Sequence, residues 1–241
     1  MSKEDLYSRA CNPQQYDSPD LDWLSVGQVG SPSGSFFSST LRKHFDDLTG
    51  KSILEIGSGT GRLFSFLQEK GVSSIQGVEP SEKNFAASKM AHPEVAVFAG
   101  AFADFQSENE FDIVLAIMVF EHLPDLPATF SKIQQLIKSG GKFYLVIGDY
   151  ECQTREETYA QFERVELGDG VSVVSTKRPF GVLHNIVRPL KNYCGAGEEA
   201  GLTLIDKIAM PPTEQLLEKS PAYAAFRNKP ICHLLIFCNT A

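Results

Sequence analysis

The stretch I-L-E-I-G-S-G-T-G-R-L, from Ile53 to Leu63, decides how the rest of the chain is interpreted. It opens with an apolar run typical of a strand that is buried on both faces. Three glycines follow at alternate positions, and because they have no Cβ they allow a sharp turn and a close approach to a ligand. A helix is expected over about Arg62 to Lys70, and its first N–H groups have no partner within the helix. The stretch therefore predicts a strand, a ligand-binding turn and a helix.

The spacing of the glycines distinguishes two classes of nucleotide site. Dinucleotide-binding turns use G-x-G-x-x-G, and here Arg62 occupies the place of the third glycine. The pattern present, E-x-G-x-G-x-G from Glu55 to Gly61, resembles motif I of the class I S-adenosylmethionine (SAM) methyltransferases. A turn that only packs the helix against the strand is the alternative.

The composition is that of an ordinary globular protein, with 42% hydrophobic and 22% charged residues in a chain of 241. That length is within reach of one large α/β domain. The 22 basic and 30 acidic residues give a net charge of −8, which argues against non-specific binding to nucleic acid or to an anionic membrane. The longest apolar run, Ile113 to Phe120, is too short to span a membrane, and the first residues lack the apolar core of a signal peptide.

The five cysteines show no C-x-x-C spacing, which indicates reduced packing residues in a cytoplasmic protein. A nucleophilic cysteine is the alternative, although no motif marks one. The cysteines are Cys11, Cys152, Cys194, Cys232 and Cys238.

Strand and helix patterns alternate from about residue 50 onward, which is the order of a doubly wound parallel sheet. The expected elements are strands at 74–79, 95–99, 111–118 and 142–147, with helices at 82–91 and 126–138. The resemblance implies an α/β fold with a mostly parallel seven-stranded sheet, the Rossmann-like methyltransferase fold, completed by strands at 204–210 and 231–238. The last of these would be antiparallel. We expect an N-terminal cap segment at 1–50, a SAM-binding core at 51–150, a lid insertion at 151–187 and the remainder of the core at 188–241.

The alternation of strands and helices breaks at residues 151–187, the place where the resemblance implies a lid insertion. Residues 162–167 and 171–177, separated by G-D-G, are typical of a β-hairpin. Basic residues then follow with no acid between Val171 and Lys191. They indicate either a site for an anionic acceptor, with Arg188 and Arg178 as its ligands, or a solvated face paired with the acidic residues of 151–169. The basic residues are Lys177, Arg178, His184, Arg188 and Lys191.

The predicted cofactor site combines the glycine turn with the next two strand ends. Glu79 ends the second strand about 20 residues after the turn, where a carboxylate accepts hydrogen bonds from ribose hydroxyls; a solvated carboxylate is the alternative. The family usually places an Asp, Asn or Ser after the third strand to reach the adenine, but here the sequence departs from that pattern. We expect backbone groups of Ala101 and Phe102 to meet the adenine edge there, helped by Asp104. The full set is Glu55, Gly57, Ser58, Gly59, Gly61, Glu79, Pro80, Ala101, Phe102 and Tyr16.

Two of these assignments come only from the resemblance. Glu55 would orient the methionine end of SAM, directly or through the turn. The N-terminal segment would cover the cofactor with an aromatic ring from Tyr16 or Trp23, for which ordinary packing is the alternative.

The fourth strand runs into V-F-E-H-L-P at 119–124, and its F-D-x-V start and E-H-L finish match the family closely. Residues at the carboxyl ends of parallel strands face the crevice where ligands bind. A histidine suits the removal of a proton from an oxygen or ammonium acceptor. His122 is the first candidate base and His184 the second, with Asp149 and Tyr150 as substrate-binding candidates. Alternatively, Glu121 and His122 only cap the next helix or bind loop backbone.

The resemblance therefore implies methyl transfer from SAM to a small-molecule acceptor, with oxygen or nitrogen ranked above carbon and no metal. A non-catalytic SAM-binding regulator is the first alternative. An NAD-dependent oxidoreductase is the second, and Arg62 counts against it. Nucleic-acid methylation ranks lower, because the chain is acidic and lacks the N/D-P-P-Y/F tetrad of base methyltransferases.

Overall fold

The computed structural model describes residues 2–18, 32–155, 160–178 and 181–240. At its centre is a seven-stranded sheet with the order β3-β2-β1-β4-β5-β10-β9. Its strands are β1 Ser52–Ile56, β2 Ser74–Glu79, β3 Ala96–Ala99, β4 Phe111–Ile117, β5 Ile137–Gly148, β9 Leu202–Met210 and β10 Cys232–Asn239. All neighbours pair in parallel except β10, which is antiparallel to both β5 and β9. The predicted doubly wound, mostly parallel sheet is confirmed.

Helices cover both faces of this sheet. The helices that follow the N-terminal one are α2 Pro32–Arg42, α3 Phe64–Glu69, α4 Glu82–Ala91, α5 Leu126–Leu136, α6 Tyr150–Thr154, α7 Leu190–Glu199 and α8 Glu214–Lys219. Short 3₁₀ turns lie at Phe120–His122 and Pro221–Phe226. Ser81 caps α4, since its Oγ accepts a hydrogen bond from Asn84 N at 3.2 Å.

The core has two layers, as the apolar strand sequences require. In β1, Leu54 and Ile56 pack into one layer, with Val114 and Ala116 of β4. Ile53 packs into the other, with Ile113 and Leu115 of β4. Burial on both faces explains why these strands show no alternation of polar and apolar residues.

A small antiparallel sheet stands beside the central one, with strands β6 Ala160–Gly168, β7 Val171–Arg178 and β8 Gly181–Val187. The predicted hairpin corresponds to β6 and β7, whereas the third strand, β8, was not predicted. Its residues from Leu183 to Val187 are all buried, so the sequence does not alternate between polar and apolar side chains. The period-2 signal of a strand is therefore absent.

The N-terminal segment, residues 2–18, forms helix α1 Lys3–Cys11 and a 3₁₀ turn at Pro13–Asp17. This helix was not predicted from the sequence, although Ser2 and Asp5 form the capping box that signals one. Leu6 and Ala10 of α1 pack on Val173 and Ile186 of the small sheet. Trp23, the other aromatic candidate, lies outside the described residues.

The far end of the N-terminal segment is fixed to helix α4. The Asp17 carboxylate accepts hydrogen bonds from Ser81 Oγ at 2.7 Å, Lys83 N at 3.0 Å and Glu82 N at 3.2 Å. The segment therefore bridges the small sheet and α4. Among the described residues, no helix is both long and apolar enough to cross a membrane.

Candidate active site

A cavity of about 500 Å³ lies at the carboxyl ends of the central strands, beneath the N-terminal segment and the small sheet. Its volume is typical of a small-molecule site. One part, the glycine half, follows β1, β2 and β3 and includes Glu55, Gly57, Ser58, Gly59, Glu79, Pro80, Asn84, Ala101 and Phe102. The other, the lid half, includes Tyr16, Met118, Val119, Glu121, His122, Leu123, Pro124, Gln153, Leu183, Asn185, Tyr223, Ile231 and Cys232.

The glycine turn is shaped by the end of β4. Gly57 has a φ of +65°, and a Cβ at this position would lie 2.4 Å from Val119 Cγ2. Gly59 also has a positive φ, of +57°, but a Cβ there would meet nothing within 4 Å. Gly57 therefore allows β1 and β4 to approach each other, whereas Gly59 leaves open space in the cavity. Gly61 is behind the turn, against Phe64 and His92, and is not among the described residues that line the cavity.

Two buried carboxyls lie in the glycine half. Glu79 accepts hydrogen bonds from Gly59 N at 2.7 Å and Ser81 N at 2.9 Å, which fix its orientation. Burial raises the pKa of Glu79, and these N–H groups partly offset that effect. Burial, together with the nearby Glu79 charge, raises the pKa of Glu55 to about 8.

Three polar atoms of the glycine half have no hydrogen-bond partner within the described structure. They are Glu55 Oε2, Ser58 Oγ and Asn84 Oδ1, all on buried side chains that line the cavity. Unsatisfied buried polar atoms are rare in folded proteins and call for an explanation. A polar ligand in this half would supply the missing partners.

In the lid half, the hydroxyl of Tyr16 lies 2.8 Å from Nε2 of His122. The other ring nitrogen, Nδ1, lies 3.1 Å from the carbonyl oxygen of Ala10, which can only accept. The amide nitrogen of Gln15 also lies near Nδ1, at the longer distance of 3.3 Å. The shorter contact with the Ala10 oxygen favours the proton on Nδ1, with Nε2 as the acceptor of the Tyr16 O–H. Burial lowers the pKa of His122 to about 4, so the ring is neutral near pH 7.

The backbone of Met118 leaves β4 with a φ of 55°, in the left-handed region that is uncommon for a residue with a side chain. Its N–H still donates to Val146 O at 2.9 Å. The chain therefore turns out of the sheet at this point and brings the 3₁₀ turn with Glu121 and His122 over the cavity. Such conformations concentrate at functional sites.

Arg188 is buried and its guanidinium is bound to the loop that follows β4. It donates to the carbonyl oxygens of Phe120 at 2.9 Å, Leu123 at 2.6 Å and Pro124 at 3.3 Å. These contacts leave the guanidinium turned to backbone, not to the cavity. The structure therefore places Arg188 as a support of the His122 loop.

The other predicted members of the basic cluster do not converge. Lys177 and Lys191 are exposed, and the side chain of Arg178 lies outside what the structure describes. His184 is buried, with its Nδ1 2.8 Å from Ser175 Oγ, and burial lowers its pKa. Because Leu183 and Asn185 line the cavity, strand alternation turns His184 to the opposite face of β8.

Asp149 and Tyr150 also have other partners. Asp149 caps α6, accepting from Cys152 N at 2.9 Å, and its second oxygen accepts from His233 Nε2 at 2.9 Å. The Tyr150 hydroxyl accepts a hydrogen bond from Arg164 of the small sheet at 3.1 Å. Within the part of the chain that the structure describes, Asp149, Tyr150, His184 and Arg188 do not line the cavity.

Comparison with known proteins agrees with this geometry. A family model described as a methyltransferase domain matches residues 35–206. The chain belongs to this family. SAM is the methyl donor that the family implies, and the unpartnered atoms of the glycine half fit a polar ligand of this kind.

Curated relatives include two ubiquinone biosynthesis O-methyltransferases. The protein from Bradyrhizobium sp. is 32% identical over 41% of this chain and 40% of its own length. The protein from Methylobacterium nodulans is 28% identical over 71% of this chain and 70% of its own. The chain thus spans less than half the length of the first relative but most of the second.

Solved structures share the fold. A SAM-dependent methyltransferase from Mesorhizobium loti superposes with a TM-score of 0.64 at 18% identity, covering 88% of this chain and 98% of that one. The CcbJ methyltransferase from Streptomyces caelestis superposes with a TM-score of 0.65 at 19% identity, covering 95% of this chain and 100% of that one.

Sequence reasoning missed several polar residues of the cavity. Asn84 lies in the first turn of α4, just after Ser81 and the acidic strand end, and that position could have indicated it. Glu121 was named only in a family match and, with His122, as an alternative helix cap or ligand of loop backbone. Asn185 sits in the unpredicted strand β8, whose burial on both faces leaves no alternation to mark the residue that faces the cavity.

Proposed function

We propose that this protein transfers a methyl group from SAM to an oxygen or nitrogen atom of a small, largely apolar molecule, with His122 receiving the acceptor's proton by way of Tyr16. The observation that carries the proposal is the 2.8 Å contact between Tyr16 and His122 in a cavity shared with the glycine turn. The side chains that we propose to take the acceptor's proton and to hold the cofactor thus line the same cavity.

The residues that would hold the cofactor are those of the glycine half. Glu79, already fixed by two N–H groups, would accept hydrogen bonds from the ribose hydroxyls. Glu55 would meet the methionine end, and the backbone of Ala101 and Phe102 the adenine edge. When bound, SAM supplies a methyl group on a positively charged sulfur, which leaves as a neutral thioether. The enzyme chiefly has to align the acceptor atom and exclude water.

Proton transfer would use the two side chains in sequence. As the acceptor oxygen or nitrogen bonds to the methyl group, its proton passes to the Tyr16 oxygen, and the Tyr16 proton passes to Nε2 of His122. The N–H at Nδ1 stays hydrogen-bonded to the Ala10 carbonyl oxygen, so the imidazole ring of His122 keeps its orientation. His122 is neutral near pH 7, so the lone pair of Nε2 can accept this proton, although burial makes the ring a weaker base than an exposed histidine.

The walls of the lid half support an apolar acceptor. The side chains of Val119, Leu123, Leu183 and Ile231 line it, and its acidic group is the Glu121 carboxyl, whose pKa is raised by burial. The names of the O-methyltransferase relatives support oxygen as the methylated atom. An anionic acceptor receives no support from Arg188, whose donors are used by backbone carbonyls.

The chain's organisation is part of the proposal. The N-terminal cap at 1–50 and the lid at 151–187 would enclose the acceptor over the cofactor-binding core at 51–150, completed by 188–241. All five cysteines lie in the described residues and are free thiols, which supports a reducing, cytoplasmic setting.

The test is turnover of SAM to S-adenosylhomocysteine with a fractionated metabolite extract, compared with transfer RNA and with a protein mixture. We expect turnover only with the metabolites, and identification of the methylated product would show the atom modified. Turnover with RNA or protein but not with metabolites would contradict the proposal.

A further inference from the structure

Two oxygen atoms in the lid half have no hydrogen-bond partner within the described structure. They are Oε2 of Glu121, a residue 2% exposed, and Oδ1 of Asn185, a residue 5% exposed. Both side chains line the cavity. They stand on different elements, the 3₁₀ turn after β4 and strand β8, so the cavity wall presents two separate hydrogen-bond acceptors.

The Glu121 carboxyl is held in place. Its Oε1 accepts a hydrogen bond from Gly148 N at 2.9 Å, at the end of β5. Arg188 fixes the loop on both sides of it by binding the carbonyl oxygens of Phe120 and Leu123. Glu121 therefore cannot turn outward to water without breaking these contacts, and its second oxygen stays in the cavity.

Asn185 is positioned by strand β8. Strand β8 pairs with β7 on one side, and the backbone N–H of His184 donates to Oε1 of Gln15 at 3.1 Å. This bond ties β8 to the N-terminal segment that carries Tyr16. Leu183 faces the same cavity, so Asn185 is a polar group on an apolar wall.

We infer that Glu121 and Asn185 form a subsite for a hydrogen-bond donor of the acceptor, a hydroxyl or N–H group adjacent to the atom that is methylated. This inference rests on the proposed function and deepens it. Both oxygens accept hydrogen bonds, and leaving them unpaired on ligand binding would cost free energy.

The substitution Glu121→Gln tests the inference at one atom. The glutamine oxygen can keep the bond to Gly148 N, and its NH₂ group then replaces the oxygen that faces the cavity. Two hydrogen-bond donors, the glutamine NH₂ group and the hydroxyl or N–H group of the acceptor, then face each other. The substitution Asn185→Ala removes the other oxygen of the subsite, which lies on strand β8. It provides a second test if the Glu121→Gln protein fails to fold. Glu55→Gln makes the same chemical change in the glycine half and is the matched comparison.

The probes are four ring compounds of similar size: catechol, 2-aminophenol, phenol and 2-methoxyphenol. The first two carry a donor beside the hydroxyl, and the last two do not. Binding is measured by calorimetry on the full chain saturated with S-adenosylhomocysteine, and turnover is measured with SAM.

We expect the wild-type protein to bind catechol and 2-aminophenol about tenfold more tightly than phenol and 2-methoxyphenol. Glu121→Gln or Asn185→Ala should remove this preference and leave S-adenosylhomocysteine affinity unchanged, whereas Glu55→Gln should weaken the cofactor and keep the preference. Equal binding of all four compounds, binding of none, or a preference that survives both variants would overturn the subsite. Failure of the proposed function would instead appear as turnover with RNA or protein alone.

Discussion

The hydroxyl of Tyr16 and the Nε2 of His122 lie 2.8 Å apart, although 106 positions separate the two residues in the chain. Their rings meet edge to face, with centroids 5.4 Å apart. The N-terminal segment thus contributes a group to the same cavity as the end of β4. This contact gives Tyr16 a place beside the candidate base, where the sequence had suggested cofactor packing.

Replacing Tyr16 by Phe keeps the ring and removes the hydroxyl that links the acceptor to His122. We expect kcat to fall by about a hundredfold or more, with S-adenosylhomocysteine affinity nearly unchanged. Single-turnover kinetics and calorimetry on one preparation would check this. A loss of cofactor affinity with an unchanged rate of transfer would instead identify Tyr16 as a cover for the cofactor.

The pKa of His122, lowered by burial to about 4, predicts how stability depends on pH. The unfolded chain binds a proton at His122 below about pH 6.5, whereas the folded protein binds it only below about 4. This residue therefore destabilises the fold progressively as the pH falls from 6.5 to 4, by up to about 3 kcal/mol. Urea unfolding at pH 7 and pH 4.5 should show a larger loss in the wild type than in His122→Gln. The same loss in both proteins would show that His122 is not buried in its neutral form.

The substitution Glu79→Gln replaces one oxygen of a carboxyl group held by Gly59 N and Ser81 N with an NH₂ group. We expect S-adenosylhomocysteine affinity to fall about tenfold, because the ribose hydroxyls would lose a hydrogen-bond acceptor. Glu82→Gln, at the neighbouring exposed position, is the control. Calorimetry with thermal melting separates affinity from folding, and unchanged affinity in a folded Glu79→Gln protein would exclude a ribose contact.

Two glycines of the turn should respond differently to alanine. Both carry a positive φ, so each substitution costs about 1–2 kcal/mol of backbone strain. At Gly57 the new Cβ also overlaps Val119, which adds about 1–3 kcal/mol. Gly59→Ala meets no protein atom and should act on cofactor affinity more than on stability. Equal destabilisation of the two variants in urea would contradict this reading of the turn.

The substitution Arg188→Lys distinguishes two roles for this residue, support of the His122 loop and binding of the substrate. A lysine cannot span three carbonyl oxygens, and each one left without a donor costs about 1–3 kcal/mol. We therefore expect a lower free energy of unfolding and weaker S-adenosylhomocysteine binding together. Lys191→Gln, at an exposed member of the same basic cluster, should change neither. A stable Arg188→Lys protein with a raised KM for the acceptor alone would restore the anion-site hypothesis.

The sequence predicted the central sheet because local patterns determine it. Ile53 to Ile56 and Phe111 to Ile117 are apolar runs buried on both faces, and the glycine turn has a recognisable spacing. The lid half was predicted poorly because its contacts join distant segments. Arg188 looked like a free basic residue until the structure placed it on the carbonyls of Phe120 and Leu123. Asn185 gave no signal, since both faces of β8 are buried.

The bonds of Asp17 to the first turn of α4 have a consequence for how molecules enter and leave. Ser81 connects two carboxylates, since its N–H is bound to Glu79 and its hydroxyl to Asp17. Tyr16, next along the chain, is bound to His122. Lifting the N-terminal segment to admit or release a ligand therefore breaks the contact with His122 as well. On the proposed mechanism, a protein with this segment lifted would also have lost the contact through which His122 takes up the acceptor's proton.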